Sequence, residues 1–236
     1  MPQQVALTFD DGPHPTGTRQ ILEVLDAHAI TATFFVWGAH AKKHAEVVRE
    51  VLELGHSVQP HCWAHRSHLD MTPDGIRADI DAVLTLLREL GVPTPHLWRT
   101  PWGQLQTGVS AATARERRLE LAGWTIDSTD YAGTSATDMY EQVIRQLGAQ
   151  KGSSATILMH DSRLEPIQKR SRRTVTETVE LVRRLVANHQ YTFAPLARGL
   201  DDNLDEQPAR QPPSGRPIRR VQRFAARVRR GQQRTP

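Results

Sequence analysis

The chain has 236 residues, a formal net charge of +4 and one cysteine, Cys62. This length is sufficient for one large α/β domain with a substantial core, and one cysteine excludes an internal disulfide framework and a cysteine-rich zinc site. No apolar run approaches the roughly 20 residues that span a bilayer. Residues 207–236 carry nine arginines and no acidic residue, whereas residues 1–206 have a net charge of −5. A mildly acidic domain argues against nucleic-acid binding.

Strand-like and helix-like segments alternate from Val5 to about Leu200, which favours a largely parallel sheet or barrel. The first strand begins at Val5 and ends before Gly12. Later strands are predicted, in chain order, over residues 31–37, 55–61, 97–100, 124–127, 156–160 and 191–194. Helices are predicted over residues 39–54, 73–90, 139–148 and 174–188.

Two adjacent carboxylates, Asp10 and Asp11, end the apolar run of the first strand. Successive strand side chains point to opposite faces, so the two are expected to play different roles unless the strand end twists into a loop. Two buried carboxylates repel each other and need a cation or hydrogen-bond donors. A turn or a helix cap is the alternative interpretation of such a pair.

Two histidines four residues apart, His61 and His65, follow the predicted third strand. On a helical turn both imidazoles face one side and can bind one metal ion. With a carboxylate from another strand as third ligand, open coordination positions remain, which is typical of a hydrolytic site. His40 and His44 have the same spacing and are expected to be solvated on a helix face.

Further ionisable groups, Arg99, Asp127 and His160, also lie at or just beyond the ends of predicted strands. In a parallel barrel these ends converge on one mouth, where catalytic groups are expected. Each residue alone also fits a structural role, since Arg99 can pair with any buried carboxylate and a lone histidine is often structural. Five such strand ends in one chain favour a site.

Five motifs occur in order along the chain: TFDDGP, His-x-x-x-His, Arg-x-Pro-aromatic-Gly, Asp-x-x-Asp-aromatic and Leu-x-His. Over about residues 5–200 the chain thereby resembles the NodB-like polysaccharide deacetylases, carbohydrate esterase family 4. The resemblance implies an α/β fold, a deformed (β/α) barrel of seven or eight parallel strands in a single domain. It also implies a divalent metal cofactor, zinc first, with cobalt, nickel or manganese as alternatives.

The resemblance also implies a role for each motif residue. The metal ligands would be Asp11, His61 and His65. Asp10 would be the general base, Arg99 would hold Asp10 ionised and oriented, and His160 would be the acid that protonates the leaving amine. Asp127 would form a hydrogen bond with His160. The acyl pocket and substrate groove would be lined by Trp102, Tyr131 and Leu158.

The chain departs from the common family pattern in three places, none of which is a ligand or proton-transfer group. Cys62 replaces the usual Ser or Thr after the first histidine, so a hydroxyl that fixes the loop is lost. Gln59-Pro60 replaces the usual Gly-Asn. Trp102 and Tyr131 differ from the commonest aromatic residues at their positions. Reaction type is therefore better supported than substrate identity.

The expected function is a metal-dependent hydrolase that removes N-acetyl groups from amino sugars of a poly- or oligosaccharide. The alternative is a cytosolic biosynthetic enzyme that uses the same metal site on a small N-acyl metabolite. A binding module without catalysis is disfavoured because all expected ligands and both acid–base residues are present. No signal peptide pattern follows Met1, which predicts a cytoplasmic protein if the chain is complete and a secreted one if an export segment is missing.

The catalytic domain is predicted to span residues 1–206, followed by a Pro/Arg-rich basic tail over residues 207–236. Apolar residues recur at helical spacing from Ile218 to Val228, with arginines around them. The tail is expected to be disordered or an amphipathic helix. Arginines near an anionic bilayer contribute roughly 1 kcal/mol each, so weak membrane contact through the tail is expected.

Overall fold

A computed structural model describes residues 2–150, 153–162 and 174–197 of the chain. The predicted tail over residues 207–236 lies outside the described residues. The strands that the structure describes are β1 (Gln3–Asp10), β2 (Thr33–Trp37), β3 (Ser57–Cys62), β4 (Leu97–Trp98), β5 (Glu120–Leu121), β6 (Ile126–Asp127), β7 (Ala155–His160) and β8 (Tyr191–Phe193). The helices are α1 (Gly17–Ala27), α2 (Gly38–Lys43), α3 (Ala45–Glu53), α4 (Pro73–Glu89), α5 (Val109–Glu116), α6 (Ala136–Ala149) and α7 (Thr174–Val186).

The strand pairs of the described part of the chain are all parallel. The main sheet has the order β3-β2-β1-β7-β6, and β8 pairs with the first half of β1. Strands β4 and β5 form a second, two-stranded sheet. Parallel strands with helical crossovers and a broken sheet order are the deformed (β/α) barrel that the sequence predicts.

Hydrogen bonds join the short second sheet to the first. The Oε1 atom of Gln59 on β3 accepts hydrogen bonds from the backbone N–H groups of His96 and Leu97, at 3.0 and 2.9 Å. The N–H of Arg99 donates to the carbonyl of Pro60 at 3.4 Å. Pro60 offers only its carbonyl to a neighbouring strand, and Gln59 Oε1 adds an acceptor for two N–H groups at the start of β4. The unusual Gln59-Pro60 pair thus joins β3 to β4.

The central strand β1 separates an apolar core from a polar barrel interior. Val5, Leu7 and Phe9 alternate along β1 and pack in the main apolar core with residues of α1 and α7. Thr8 and Asp10 point to the opposite face, as the two-residue period of a strand requires, and both are buried. Burying the Asp10 carboxylate there requires a charged partner, which is Arg99, directly after β4 of the second sheet.

Most predicted elements are confirmed, with differences in four places. The predicted helix over residues 39–54 is divided at His44, whose φ of −126° and ψ of 49° interrupt it between α2 and α3. Helices α1 and α5 and the two-residue strand β5 were not predicted. No helix within the described ranges is both long and apolar enough to cross a membrane.

Two buried histidines predict a loss of stability in mild acid. His56 and His68 are 5 % and 1 % exposed, and burial lowers the pKa of each to about 4. The unfolded chain, with an ordinary histidine pKa near 6.5, binds more protons between about pH 6.5 and pH 4, so stability falls as the pH drops through that window. Each histidine should contribute on the order of 2 kcal/mol to this loss.

Denaturant unfolding measured from pH 7 to pH 4 checks this expectation. His56→Asn keeps an acceptor for the Ala32 N–H, which His56 Nδ1 accepts at 3.1 Å, and should flatten the pH dependence. His28→Asn, at an exposed position, is the control and should leave the slope unchanged. Equal slopes for His56→Asn and the unsubstituted protein would contradict the assignment.

Candidate metal centre

The two adjacent aspartates occupy different backbone conformations at the end of β1. Asp10 is the last strand residue, and its buried carboxylate points into the barrel interior. Asp11 follows with a φ of 73°, in the left-handed region that few residues other than glycine adopt. This turn directs the second carboxylate toward the β3 loop. The strand end thus twists into a loop at Asp11, and the different roles expected of the two aspartates stay a prediction.

Asp11, His61 and His65 converge on one point. Asp11 Oδ1 lies 3.4 Å from His61 Nε2 and 3.0 Å from His65 Nε2. The three side chains are no more than 7 % exposed. The Nδ1 atom of His61 is 2.7 Å from the carbonyl oxygen of Arg99, to which it donates. This bond leaves Nε2 of His61 directed at Asp11, an arrangement common among metal-bound histidines.

These residues fit a divalent cation. Burial raises the pKa of Asp11, but the imidazoles of His61 and His65 and the charge of His160 outweigh it and bring that pKa well below its usual range. The Oδ1 atom of Asp11 is buried and receives no hydrogen bond from the described residues. A carboxylate and two imidazoles that leave open positions are the donors of hydrolytic zinc sites.

Cys62 is a second donor near the same two histidines. One side-chain donor atom from each of His61, Cys62 and His65 lies within 4.8 Å of the others. Burial raises the pKa of the Cys62 thiol well above its usual value, which disfavours the thiolate that metals bind. Asp11 is therefore the better third ligand, because its charged oxygen already lies within 3.4 Å of both imidazoles.

The loop between the two histidines is held by Asp79 of α4. Its carboxylate accepts hydrogen bonds from the backbone N–H groups of Trp63 and Ala64, at 2.6 and 3.0 Å. His65 itself has a φ of 42°, a conformation that needs such support. Asp79 thus supplies anchoring that the sequence suggested was lost with the hydroxyl at position 62. Sequence reasoning missed it because nothing in α4 marks this aspartate.

Arg99 lies in the barrel interior beside Asp10. It is fully buried, and its Nη1 donates to Asp10 Oδ1 and to Thr8 Oγ1, both at 2.8 Å. Its Nη2 donates to the carbonyl of Gly123 at 2.7 Å. The guanidinium therefore contacts the Asp10 carboxylate and bridges β1 to the segment between β5 and β6, and its role in keeping Asp10 ionised stays a prediction.

The histidine at the end of β7 pairs with Asp130, and the predicted bond from Asp127 to His160 is wrong. His160 Nδ1 is 2.8 Å from Asp130 Oδ1, and the His160 N–H donates to Asp130 Oδ2, also at 2.8 Å. Thr178 donates to the same Oδ2 at 2.8 Å. Burial lowers the pKa of His160, but the carboxylates of Asp130, Asp11 and Asp10 raise it further, to about 10.

Asp127 stabilises the turn that precedes Asp130 by accepting hydrogen bonds. Its Oδ1 accepts from the N–H of Thr129 at 2.8 Å, and its Oδ2 accepts from the hydroxyl of Tyr131 at 2.9 Å. Thr129 has a φ of 59°, so the chain reverses there, and the carboxylate that contacts His160 of β7 is that of Asp130. Asp127 and Asp130 stand in the same sequence motif, and spacing alone did not distinguish them.

The predicted substrate-binding residues lie around His160 and His65. The ring of Tyr131 meets His160 edge-on with 5.7 Å between centroids. Trp102 is 51 % exposed and its ring meets His65 edge-on at 4.5 Å. Leu158 is two residues before His160 on β7 and shares its face. Their contact with substrate remains a prediction.

His40 has a role that the sequence did not indicate. Its Nδ1 lies 2.8 Å from the carbonyl oxygen of Asp11, and the side chain is half-buried. The expectation of a solvated His40 is therefore wrong, because the first turn of α2 packs beside the loop that follows β1. His44 is partly buried and lies 3.7 Å from Glu46.

Comparison with known proteins agrees with this geometry. The family model described as polysaccharide deacetylase matches residues 1–122. A peptidoglycan-N-acetylglucosamine deacetylase of Bacillus cereus is 32 % identical over 142 residues, which are 60 % of this chain and 51 % of the relative. A chitooligosaccharide deacetylase of Bradyrhizobium is 30 % identical over 187 residues, 78 % of this chain and 81 % of the relative.

Among solved structures, a family 4 acetyl xylan esterase from Clostridium thermocellum, in complex with a cobalt ion, is 27 % identical. It superposes with a TM-score of 0.67 over 82 % of this chain and 88 % of its own. The chain spans about half the length of the Bacillus cereus relative. The five motifs, the barrel and these matches lead to one conclusion: the chain belongs to the polysaccharide deacetylase family, carbohydrate esterase family 4.

Proposed function

We propose that this protein is a metal-dependent hydrolase that removes N-acetyl groups from amino sugars of a poly- or oligosaccharide. The observation that carries the proposal is the position of an acid and a base on neighbouring strands. Asp10 of β1 and His160 of β7 are register partners, and the cluster of Asp11, His61 and His65 lies beside them. Amide hydrolysis needs such a pair because the water must lose a proton and the leaving amine must gain one.

The residues would divide the proton transfers as follows. Asp10, oriented by the Arg99 guanidinium at 2.8 Å, accepts the proton of the attacking water at its carboxylate. His160, whose Nδ1–H is held by Asp130, donates from Nε2 to the departing nitrogen. A pKa raised to about 10 keeps His160 protonated at neutral pH, as a general acid requires.

The metal would be held by Asp11, His61 and His65. Zinc suits two imidazoles and a carboxylate, and cobalt, nickel and manganese are the alternatives. When bound, such a cation supplies Lewis-acid chemistry, which makes water more acidic and polarises the acyl carbonyl. The Asp11 carboxylate neutralises part of its charge, and Trp102 covers one edge of His65.

The relatives and the exposed Trp102 beside the candidate metal site support the proposed substrate class. The two curated relatives are deacetylases named for peptidoglycan and for chitooligosaccharide, both of which contain N-acetylated amino sugars. The exposed indole of Trp102 beside His65 offers an apolar surface of the kind on which a sugar ring can stack. An acetate-release assay on chitooligosaccharides, peptidoglycan fragments and small N-acyl metabolites tests the proposal. Turnover of the small metabolites alone would instead support the biosynthetic alternative.

The metal assignment makes a prediction of its own. His61→Ala removes one imidazole and should lose most of the bound metal, because the remaining Asp11 and His65 form only a two-residue site. Metal content after dialysis against a weak chelator is the measurement. His28→Ala, an exposed histidine, is the control and should retain full occupancy. Full occupancy of His61→Ala would refute His61 as a ligand.

A further inference from the structure

Trp37, the last residue of β2, contacts both loops that carry the proposed metal ligands. Its backbone N–H donates to the carbonyl of Gly12 at 2.8 Å, directly after Asp11. Its indole Nε1–H donates to the carbonyl of Trp63 at 2.7 Å, between His61 and His65. One residue thus bridges the β1 loop and the β3 loop.

His40 completes this bridge from the first turn of α2. Its ring lies 4.2 Å from the Trp37 ring, between centroids, and its Nδ1 is 2.8 Å from the Asp11 carbonyl oxygen. A carbonyl only accepts, so the proton is on Nδ1 and the imidazole donates. The carbonyl that it binds belongs to the residue with a φ of 73°.

The start of α2 is closely packed against the loop that carries His61 and His65. A Cβ added to Gly38, between Trp37 and His40, would lie 2.7 Å from the Trp63 ring. The Trp37 ring also lies 5.3 Å from the ring of His65. Left-handed backbone at a residue other than glycine persists only where its surroundings over-determine it. The bonds from Trp37 and His40 meet that condition for Asp11.

We propose that Trp37 and His40 form a positioning pair that sets the distance and angle between the Asp11 carboxylate and the His65 imidazole. The proposal rests on the metal site of the proposed function. His40 acts through the Asp11 backbone, and Trp37 acts through the Gly12 and Trp63 carbonyls. Partners that orient metal ligands affect metal affinity about 10- to 100-fold. Variants of Trp37 or His40 should therefore bind zinc more weakly.

Zinc affinity, measured by competition with a chromophoric chelator, tests the pair without any substrate. His40→Ala should weaken zinc binding by about tenfold or more. His40→Asn keeps an N–H donor at the position of Nδ1 and should stay within about threefold of the unsubstituted protein. Trp37→Phe keeps the ring and the backbone bond but loses the Nε1–H, and should weaken binding about tenfold.

His44→Ala is the matched control, since His44 lies four residues beyond His40 and pairs with Glu46. It should bind zinc as the unsubstituted protein does, and circular dichroism should show every variant folded. The visible spectrum of the cobalt-substituted protein should change in His40→Ala and not in His44→Ala, because only the first variant alters ligand geometry.

The proposal is overturned if His40→Ala binds zinc as tightly as the unsubstituted protein, or if His44→Ala or His40→Asn loses as much affinity as His40→Ala. These outcomes are independent of the proposed reaction. A protein that binds zinc but releases acetate from no glycan would refute the proposed function and leave the zinc measurements valid.

Discussion

Asp10→Asn is expected to retain its metal and to lose about 100-fold or more in turnover, the scale of an essential general base. The amide has nearly the same shape as the carboxylate and still accepts a hydrogen bond from Arg99 Nη1, which lies 2.8 Å from Asp10 Oδ1. It cannot take up the proton of the attacking water. Steady-state acetate release and metal content, measured on the same preparation, check both parts.

A control for Asp10→Asn must distinguish two causes of lost turnover: the loss of the proton acceptor at residue 10 and a changed position of Arg99. Thr8→Val removes the other acceptor of Arg99 Nη1, at 2.8 Å, but it removes no group that can accept a proton. The variant loses the bond accepted from the charged Arg99 and the bond that Thr8 Oγ1 donates to the Ile157 carbonyl at 2.6 Å. Both bonds lie away from the transferred proton, so turnover should fall by less than about tenfold. Equal losses in both variants would show that the effect comes from the position of Arg99, and unchanged turnover of Asp10→Asn would exclude Asp10 as the base.

The order of strands and helices could be predicted where apolar periodicity is strong. The run Val5–Phe9 and the helix that begins at Pro73 follow from local pattern, and the structure confirms them. Helix α5 was missed because its buried residues are small or polar, Ser110, Thr113 and Ala114, and give no apolar stripe. The break at His44 was missed because the apolar spacing continues through it from α2 to α3.

The proposed ligands and acid–base residues could be named from the sequence because they stand in short motifs at strand ends. Their supporting residues were not accessible, since support depends on which element packs beside which loop. Asp79 reaches the His61–His65 loop from α4, and His40 reaches Asp11 from α2. Neither residue lies in a motif. Long-range placement of this kind is a property of the barrel and cannot be read from local spacing.

The choice between Asp127 and Asp130 illustrates the same limit within a motif. Asp127 is the last residue of β6 and Asp130 follows three residues later, and this spacing permits either side chain to approach His160 of β7. The left-handed Thr129, with a φ of 59°, reverses the chain between them. Asp127 then caps the turn by accepting from the Thr129 N–H, a common arrangement for aspartate two residues before the donor. Asp130 is therefore the aspartate that contacts His160.

Asp130→Asn and Asp127→Asn are therefore expected to differ sharply. Asp130→Asn removes the carboxylate 2.8 Å from His160 Nδ1, which contributes most to raising the pKa of that histidine to about 10. The pKa should fall, so the alkaline limb of the rate profile should move to lower pH. Turnover should drop by about 100-fold or more, as for a general acid with a misplaced proton.

Asp127→Asn should cost less than about tenfold, since it weakens bonds to the Thr129 N–H and the Tyr131 hydroxyl only. Its alkaline limb should stay in place, because Asp127 does not touch the imidazole of His160. The pH profile of kcat/KM for both variants, with metal content matched, distinguishes the two aspartates. If the alkaline limb shifts in Asp127→Asn and does not shift in Asp130→Asn, then Asp127 is the residue that orients the His160 imidazole. A loss of turnover in Asp130→Asn without any pH shift would mean that Asp130 supports the fold near Thr178 rather than the proton of His160.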